Sequence, residues 1–160
     1  MTERPQPTIL IVEDSPEDYE ATVWALRKSG FLNPIFHCTD GDDALDFLYQ
    51  RGVHALQTPA PQPSLILLDL HLPGSDGHEV LATIKHDDQL RQIPVVMLTT
   101  SEDTRDIARC YAMGANSYMK KPVGIEALLR AMQRLNDYWF DLVILPTVER
   151  SLGSNPRDQS

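Results

Sequence analysis

Short apolar runs alternate with longer mixed runs along this chain. Ile9-Leu10-Ile11-Val12, Leu65-Ile66-Leu67-Leu68 and Val95-Val96-Met97-Leu98 are continuous apolar stretches bounded by polar or turn residues, while Ile35 to Cys38 and Ser117-Tyr118-Met119-Lys120 are weaker ones. Unbroken apolar strands of this length fit a parallel sheet covered on both faces, since a strand with one solvated face would alternate instead. The runs between them show helical spacing.

Ser15 and Pro16 supply an N-cap and a proline for the first turn of a helix whose apolar face is Tyr19, Val23, Ala25 and Leu26, ended by Gly30. Asn33-Pro34 introduces the Ile35 run, and Asp40-Gly41 turns into a helix with Ala44, Leu45, Phe47 and Leu48. Gly77 opens a pattern of Val80, Leu81 and Ile84. Ile93-Pro94 leads into the next strand, Glu102 to Met113 reads as helix, and Gly114 is placed to cap it. A last helix from near Val123 carries Ile125, Leu128, Leu129, Met132 and Leu135 on one face. Residues 52–64 hold Pro59, Pro61 and Pro63, which break helical geometry at and before each proline, and are expected to form an extended surface loop. Strict alternation of strand and helix predicts an α/β fold, a doubly wound five-stranded parallel sheet with five helices, because parallel strands need crossover connections.

Beyond the last helix the pattern changes. Tyr138, Trp139, Phe140, Leu142, Val143, Ile144 and Leu145 are interrupted only by Asp141, too broad an apolar surface for one core-facing stripe. Pro146 is expected to stop the helix. The organisation expected is a flexible N-terminus over 1–7, one domain over 8–136, an apolar arm over 137–146 and a disordered tail over 147–160.

At 160 residues, 42% hydrophobic and 23% charged, the chain suits one self-sufficient core. Fourteen Lys plus Arg against 23 Asp plus Glu give a net charge of -9, the opposite of a nucleic-acid footprint. No apolar stretch is long enough to span a membrane and the N-terminus has no apolar targeting region, so a soluble cytoplasmic protein is expected. Cys38 and Cys110 form no C-x-x-C pair and no zinc-like spacing with the histidines, and read as buried small hydrophobes in a reducing compartment.

The candidate chemistry lies just past the strand runs: Glu13-Asp14, Asp69, Thr99 and Lys121. In open parallel sheets these positions face one crevice outside the carboxyl ends of the strands. Converging carboxylates repel unless a cation offsets them, and an all-oxygen set suits magnesium. A hydroxyl and an ammonium are the donors that a phosphoryl group on a carboxylate requires, so the set reads as a phosphorylation site.

The segments Ile9-Leu10-Ile11-Val12-Glu13-Asp14-Ser15, Leu68-Asp69-Leu70-His71-Leu72-Pro73-Gly74-Ser75-Asp76-Gly77, Leu98-Thr99-Thr100-Ser101 and Lys120-Lys121-Pro122 resemble response-regulator receiver domains, over about residues 8 to 136. The resemblance implies a flavodoxin-like receiver fold with Asp69 as phosphoacceptor. It also implies Mg2+ held by Asp14 and Asp69, by Glu13 through water and by the main-chain carbonyl of His71. Thr99 and Tyr118 would form the switch pair. Lys121 would contact the phosphoryl group, with Lys120 as rival, and the Lys121–Pro122 bond would be cis. Glu13 stands where aspartate is commoner, and His71 borders the attacking water, leaving phosphoryl lifetime open.

So read, the protein is a non-enzymatic, single-domain regulator that self-phosphorylates and self-dephosphorylates with magnesium. Its phosphoryl donor would be a sensor histidine kinase, and it would act through contacts with an unknown protein target. The 52–64 insertion and the arm resemble the small regulators of phytochrome-type kinases, which implies a homodimer through Trp139, Phe140, Val143 and Leu145. Alternatives are an intermediate carrier in a phosphorelay or a flavodoxin-like cofactor protein; the latter lacks its phosphate loop, since Glu13-Asp14 would repel an anion. A magnesium-dependent aspartyl-phosphate phosphatase is a further alternative, but it would show two aspartates one residue apart where this chain has Asp69-Leu70-His71.

Overall fold

The computed structural model describes residues 6–55 and 62–148. Residues 1–5, Pro59 and Pro61 of the insertion, and nearly all of the expected tail lie outside them. The chain runs β1 (Ile9–Val12), α1 (Pro16–Lys28), β2 (Ile35–Cys38), α2 (Gly41–Tyr49), β3 (Leu65–Leu68), α3 (Gly77–His86), β4 (Val95–Thr99), α4 (Thr104–Ala112), β5 (Ser117–Lys120) and α5 (Ile125–Asn136). All five strands are parallel, in the order β2-β1-β3-β4-β5.

The sheet divides the core in two, because successive side chains of a strand point to opposite faces. Leu10, Val12, Ile66, Leu68, Val95 and Met97 face α2, α3 and α4, where they meet Phe47, Leu48, Val80, Leu81, Ile84 and Cys110. Ile9, Ile11, Leu65, Leu67, Val96 and Leu98 face α1 and α5 and meet Ala25, Leu26, Met132 and Leu135. Each fully buried leucine or isoleucine contributes about 1.5–3 kcal/mol relative to exposure. No helix among the described residues is long and apolar enough to cross a membrane.

Local chemistry sets the helix starts. Ser15 Oγ accepts from Asp18 N at 3.3 Å with Pro16 at the first position, Asp40 caps α2 through Asp43 N at 2.7 Å, and Asp76 caps α3 through Glu79 N at 3.0 Å. Differences from the expected boundaries have equally local causes. Helix α4 starts at Thr104 rather than Glu102, because Asp103 is extended and accepts from Arg105 N. Helix α5 starts at Ile125 rather than Val123, because Gly124 has a φ of +89° that no helix allows. Within the expected loop, Gly52–His54 makes a short 3-10 turn.

The larger correction is at the C-terminal end. The helical path continues from α5 as a wider π-type turn over Asp137–Leu142 and stops there, not at Pro146. Val143 is already extended, and its N–H donates to Tyr138 O at 3.0 Å. Trp139 and Phe140 pack back on the α1/α5 core, with the Phe140 ring 4.8 Å from that of Phe31.

Candidate functional site

Four strands deliver the site. Glu13 and Asp14 follow β1, Asp69 follows β3, Thr99 ends β4, and Lys121 follows β5. Main-chain bonds fix these exits relative to one another: Glu13 N donates to Cys38 O at 3.0 Å, Asp69 N to Val12 O at 3.2 Å and Lys121 N to Thr99 O at 2.7 Å. Close packing fixes the acceptor loop further. A Cβ on Gly77 would collide with the main chain of Asp69 and Leu70, so the start of α3 can lie against Asp69 only because residue 77 has none.

Carboxylate oxygens of Glu13, Asp14 and Asp69 lie within 4.8 Å of one another, Glu13 and Asp69 buried and Asp14 exposed. Lys121 Nζ stands among them, 2.5 Å from Glu13 Oε1 and 2.9 Å from Asp69 Oδ2. It also lies 2.9 Å from Asp18 Oδ2 of α1. Asp69 Oδ1 accepts from the main-chain N–H of His71 at 3.2 Å, so both oxygens of Asp69 are hydrogen-bonded. The His71 side chain is exposed.

Three carboxylates thus pair with one ammonium, and a fourth, Asp14, lies beside two of them. Burial is the main reason the Glu13 carboxyl is pushed up to about 7, and the neighbouring Asp69 charge adds to it, while the Lys121 contact opposes both. For Lys121 burial pulls the other way, but hydrogen bonds to Glu13, Asp18 and Asp69 outweigh it and raise the ammonium well above its ordinary value. The remaining excess of negative charge on hard oxygen donors, without a nitrogen or sulfur among them, fits a divalent cation of the magnesium kind.

Thr99 is fully buried, and its Oγ1 lies 3.5 Å from Ser101 N. The Tyr118 ring is half-buried against the α2/α3/α4 core, and its hydroxyl donates to Ser101 O at 2.9 Å. Thr99 and Tyr118 therefore both engage the loop after β4. Lys120 is directed away, 3.0 Å from the exposed Glu102, so of the two adjacent lysines only Lys121 meets the carboxylates. The Lys121–Pro122 bond is trans, against the cis geometry that the resemblance implied; the described residues contain no cis peptide.

Two contributors were not read from the sequence. Asp18 is an ordinary first-turn acidic residue of α1 by its pattern, and its contact with Lys121 spans 103 positions. His37 of β2 holds the Glu13 carbonyl oxygen through Nε2 at 2.8 Å while its ring stacks on Tyr19 at 3.6 Å. The only sequence signal for His37 was a polar residue inside a strand run.

Comparison with known proteins points to one family. A family model described as the response regulator receiver domain matches residues 9–133. Response regulator Rcp1 of Synechocystis sp. is 39% identical over 142 residues, 89% of this chain and 95% of that protein. The crystal structure of the Mn(2+)-bound form of Rcp1 matches with a TM-score of 0.81 at 38% identity, covering 88% of this chain and 99% of that one. The phosphorylated cyanobacterial phytochrome response regulator RcpA matches with a TM-score of 0.81 at 36% identity, covering 89% and 99%.

Proposed function

The chain belongs to the response regulator receiver domain family, and on that premise we propose that Asp69 accepts a phosphoryl group from a sensor histidine kinase of the phytochrome type. The observation that carries this reading is the convergence of Glu13, Asp14 and Asp69 around the Lys121 ammonium at the carboxyl edge of the sheet. Glu13, Asp14, Asp69 and the main-chain carbonyl of His71 would hold Mg2+, which when bound neutralises carboxylate and phosphoryl charge. The Mn(2+)-bound structure of Rcp1 and the phosphorylated structure of RcpA support a metal and a phosphoryl group for this chain.

A carboxylate oxygen of Asp69 attacks phosphorus of the donor phosphohistidine. An O–P bond forms, the P–N bond breaks, and the departing imidazole keeps the electron pair. Lys121 already sits 2.9 Å from Asp69 Oδ2, and so meets a phosphoryl oxygen with little movement. The Thr99 hydroxyl supplies a second donor, and its shift toward the phosphoryl group leaves the space into which Tyr118 turns. Phosphoryl transfer asks mainly for positioning and charge neutralisation, which these groups provide. The output is a change of protein contacts, for which the C-terminal arm and a homodimer are the natural vehicle.

Intact mass after incubation with acetyl phosphate tests the site and the metal together. A magnesium-dependent phosphoryl adduct is expected in the native chain and none in Asp69→Asn. An adduct of equal yield in Asp69→Asn would overturn the assignment. Phosphotransfer from an autophosphorylated phytochrome-type kinase, faster than from an unrelated histidine kinase, tests the donor.

A further inference from the structure

A second group of metal-ligating side chains lies at the end of β2, apart from the carboxylates around Lys121. Cys38 closes β2, Asp43 lies in the first turn of α2, and His54 ends the 3-10 turn that follows α2. One ligand atom from each lies within 4.8 Å of the other two. Cys38 is fully buried, the His54 side chain is 13% exposed and Asp43 is 31% exposed. His54 Nε2 is 2.9 Å from Asp43 Oδ1, and the ring is wedged edge-on against Phe47 at 5.3 Å. Its other nitrogen, Nδ1, is buried without a hydrogen-bond partner among the described residues.

We propose that Cys38, Asp43 and His54 form a zinc site that pins the Gly52–His54 turn to α2 and β2. The donor set decides the metal. A thiolate, an imidazole and a carboxylate match zinc or another borderline-soft divalent ion, whereas magnesium is held by oxygens alone. Bonds of about 2.0–2.3 Å place neighbouring ligands roughly 3–4 Å apart in a tetrahedron, so the three side chains need only small adjustments to close on an ion, with a water molecule in the fourth position on the partly exposed Asp43 side. Charge also balances, because Cys38 thiolate and Asp43 carboxylate together cancel a divalent cation. The Cys38 proton leaves to solvent on binding, as a coordinating thiol is deprotonated. Burial, with Asp43 and Asp40 nearby, raises the thiol well above its ordinary value, so metal binding has to displace a firmly held proton.

A metal here has a structural consequence. The turn at Gly52–His54 leads into the insertion before β3, and among its ties to α2 are the His54 ring against Phe47 and, just before the turn, Arg51 with Asp46 at 2.7 Å. Three bonds to zinc would fasten the entrance of that segment to the sheet.

Cobalt(II) serves as the spectroscopic substitute for zinc, titrated into the full chain in excess magnesium. One equivalent should give tetrahedral d–d bands and a thiolate-to-cobalt charge-transfer band, displaced by zinc. The bands should persist in Asp14→Asn, which weakens the carboxylate site, and vanish in Cys38→Ala. In His54→Gln affinity should fall by more than about tenfold, since losing even an outer partner of a metal ligand costs 10–100-fold. Circular dichroism of both variants shows whether they are folded. Cobalt binding without a thiolate band, a band lost only in Cys110→Ala, or binding lost only in Asp14→Asn would each overturn the proposal.

Discussion

Lys121 shows how one side chain can be decided by contacts the sequence does not display. It follows β5, donates to Asp69 and Asp18 and pairs with Glu13, while its neighbour Lys120 turns to the exposed Glu102. Lys121→Ala should therefore leave Asp69 phosphorylation and its response impaired. A reduction of roughly 10²–10³-fold in the rate with acetyl phosphate is expected, the range seen when a donor to developing charge is removed. Lys120→Ala loses one exposed ion pair and should change the rate and the stability little, within about 0.5 kcal/mol by denaturant titration. Equal effects of the two substitutions would contradict the geometry. The sequence offered Lys121 through its proline neighbour and left Lys120 open, because both end the same short run. Asp18 and His37 were not legible at all. One meets its partner 103 positions away, and the other acts on a backbone carbonyl that no residue pattern encodes.

At the scale of elements, the capped helix starts and apolar strands were legible because their causes are local: Ser15, Asp40 and Asp76 each sit three residues before the N–H they accept. Asp87 is a less visible device of the same kind. It closes α3, and its Oδ1 accepts from Gln89 N and Leu90 N at 2.9 Å each, while its Oδ2 accepts from Tyr49 OH at 2.9 Å. Desolvation would raise its carboxyl, but the Leu90 N–H, Tyr49 hydroxyl and Gln89 N–H together hold it below the usual carboxylate value. A depressed folded-state value means that the contribution is complete above the ordinary aspartate range and is lost as pH falls through the lower, folded value. Asp87→Ala should cost about 1 kcal/mol at neutral pH, as a lost cap does. Asp87→Asn should retain part of that and flatten the acid limb of the stability curve. Urea titrations of the three proteins between neutral and acidic pH measure both effects; an unchanged acid limb in Asp87→Asn would remove the carboxylate from the account.

For the molecule as a whole, the open question is what the C-terminal arm covers. The broad apolar stretch was visible in the sequence, but not which of its residues face the chain's own core, since a π-type turn shifts the helical register that pattern reading assumes. Trp139 and Phe140 are half-buried on the α1/α5 core. With Val143 and Leu145 they line a cavity of about 360 Å³ shared with Pro7 and Pro63. Tyr138, Leu142 and Ile144 are by contrast 49%, 75% and 80% exposed, although Ile144 also borders that cavity. These two faces make the proposed homodimer separable from folding. Phe140→Ala removes packing against Phe31 and should destabilise the domain by about 3 kcal/mol, if its half-buried ring behaves near the low end of core aromatic truncations. Leu142→Asp with Ile144→Asp adds charge at two largely solvent-exposed positions. That double variant should keep the thermal midpoint within a few degrees while sedimentation shifts from dimer to monomer, because charges on an isologous apolar patch meet their own copies. A dimer unchanged by the double variant but lost in Phe140→Ala would move the interface to the face that the monomer partly buries. That outcome would require the arm to lift from its own core when two chains associate.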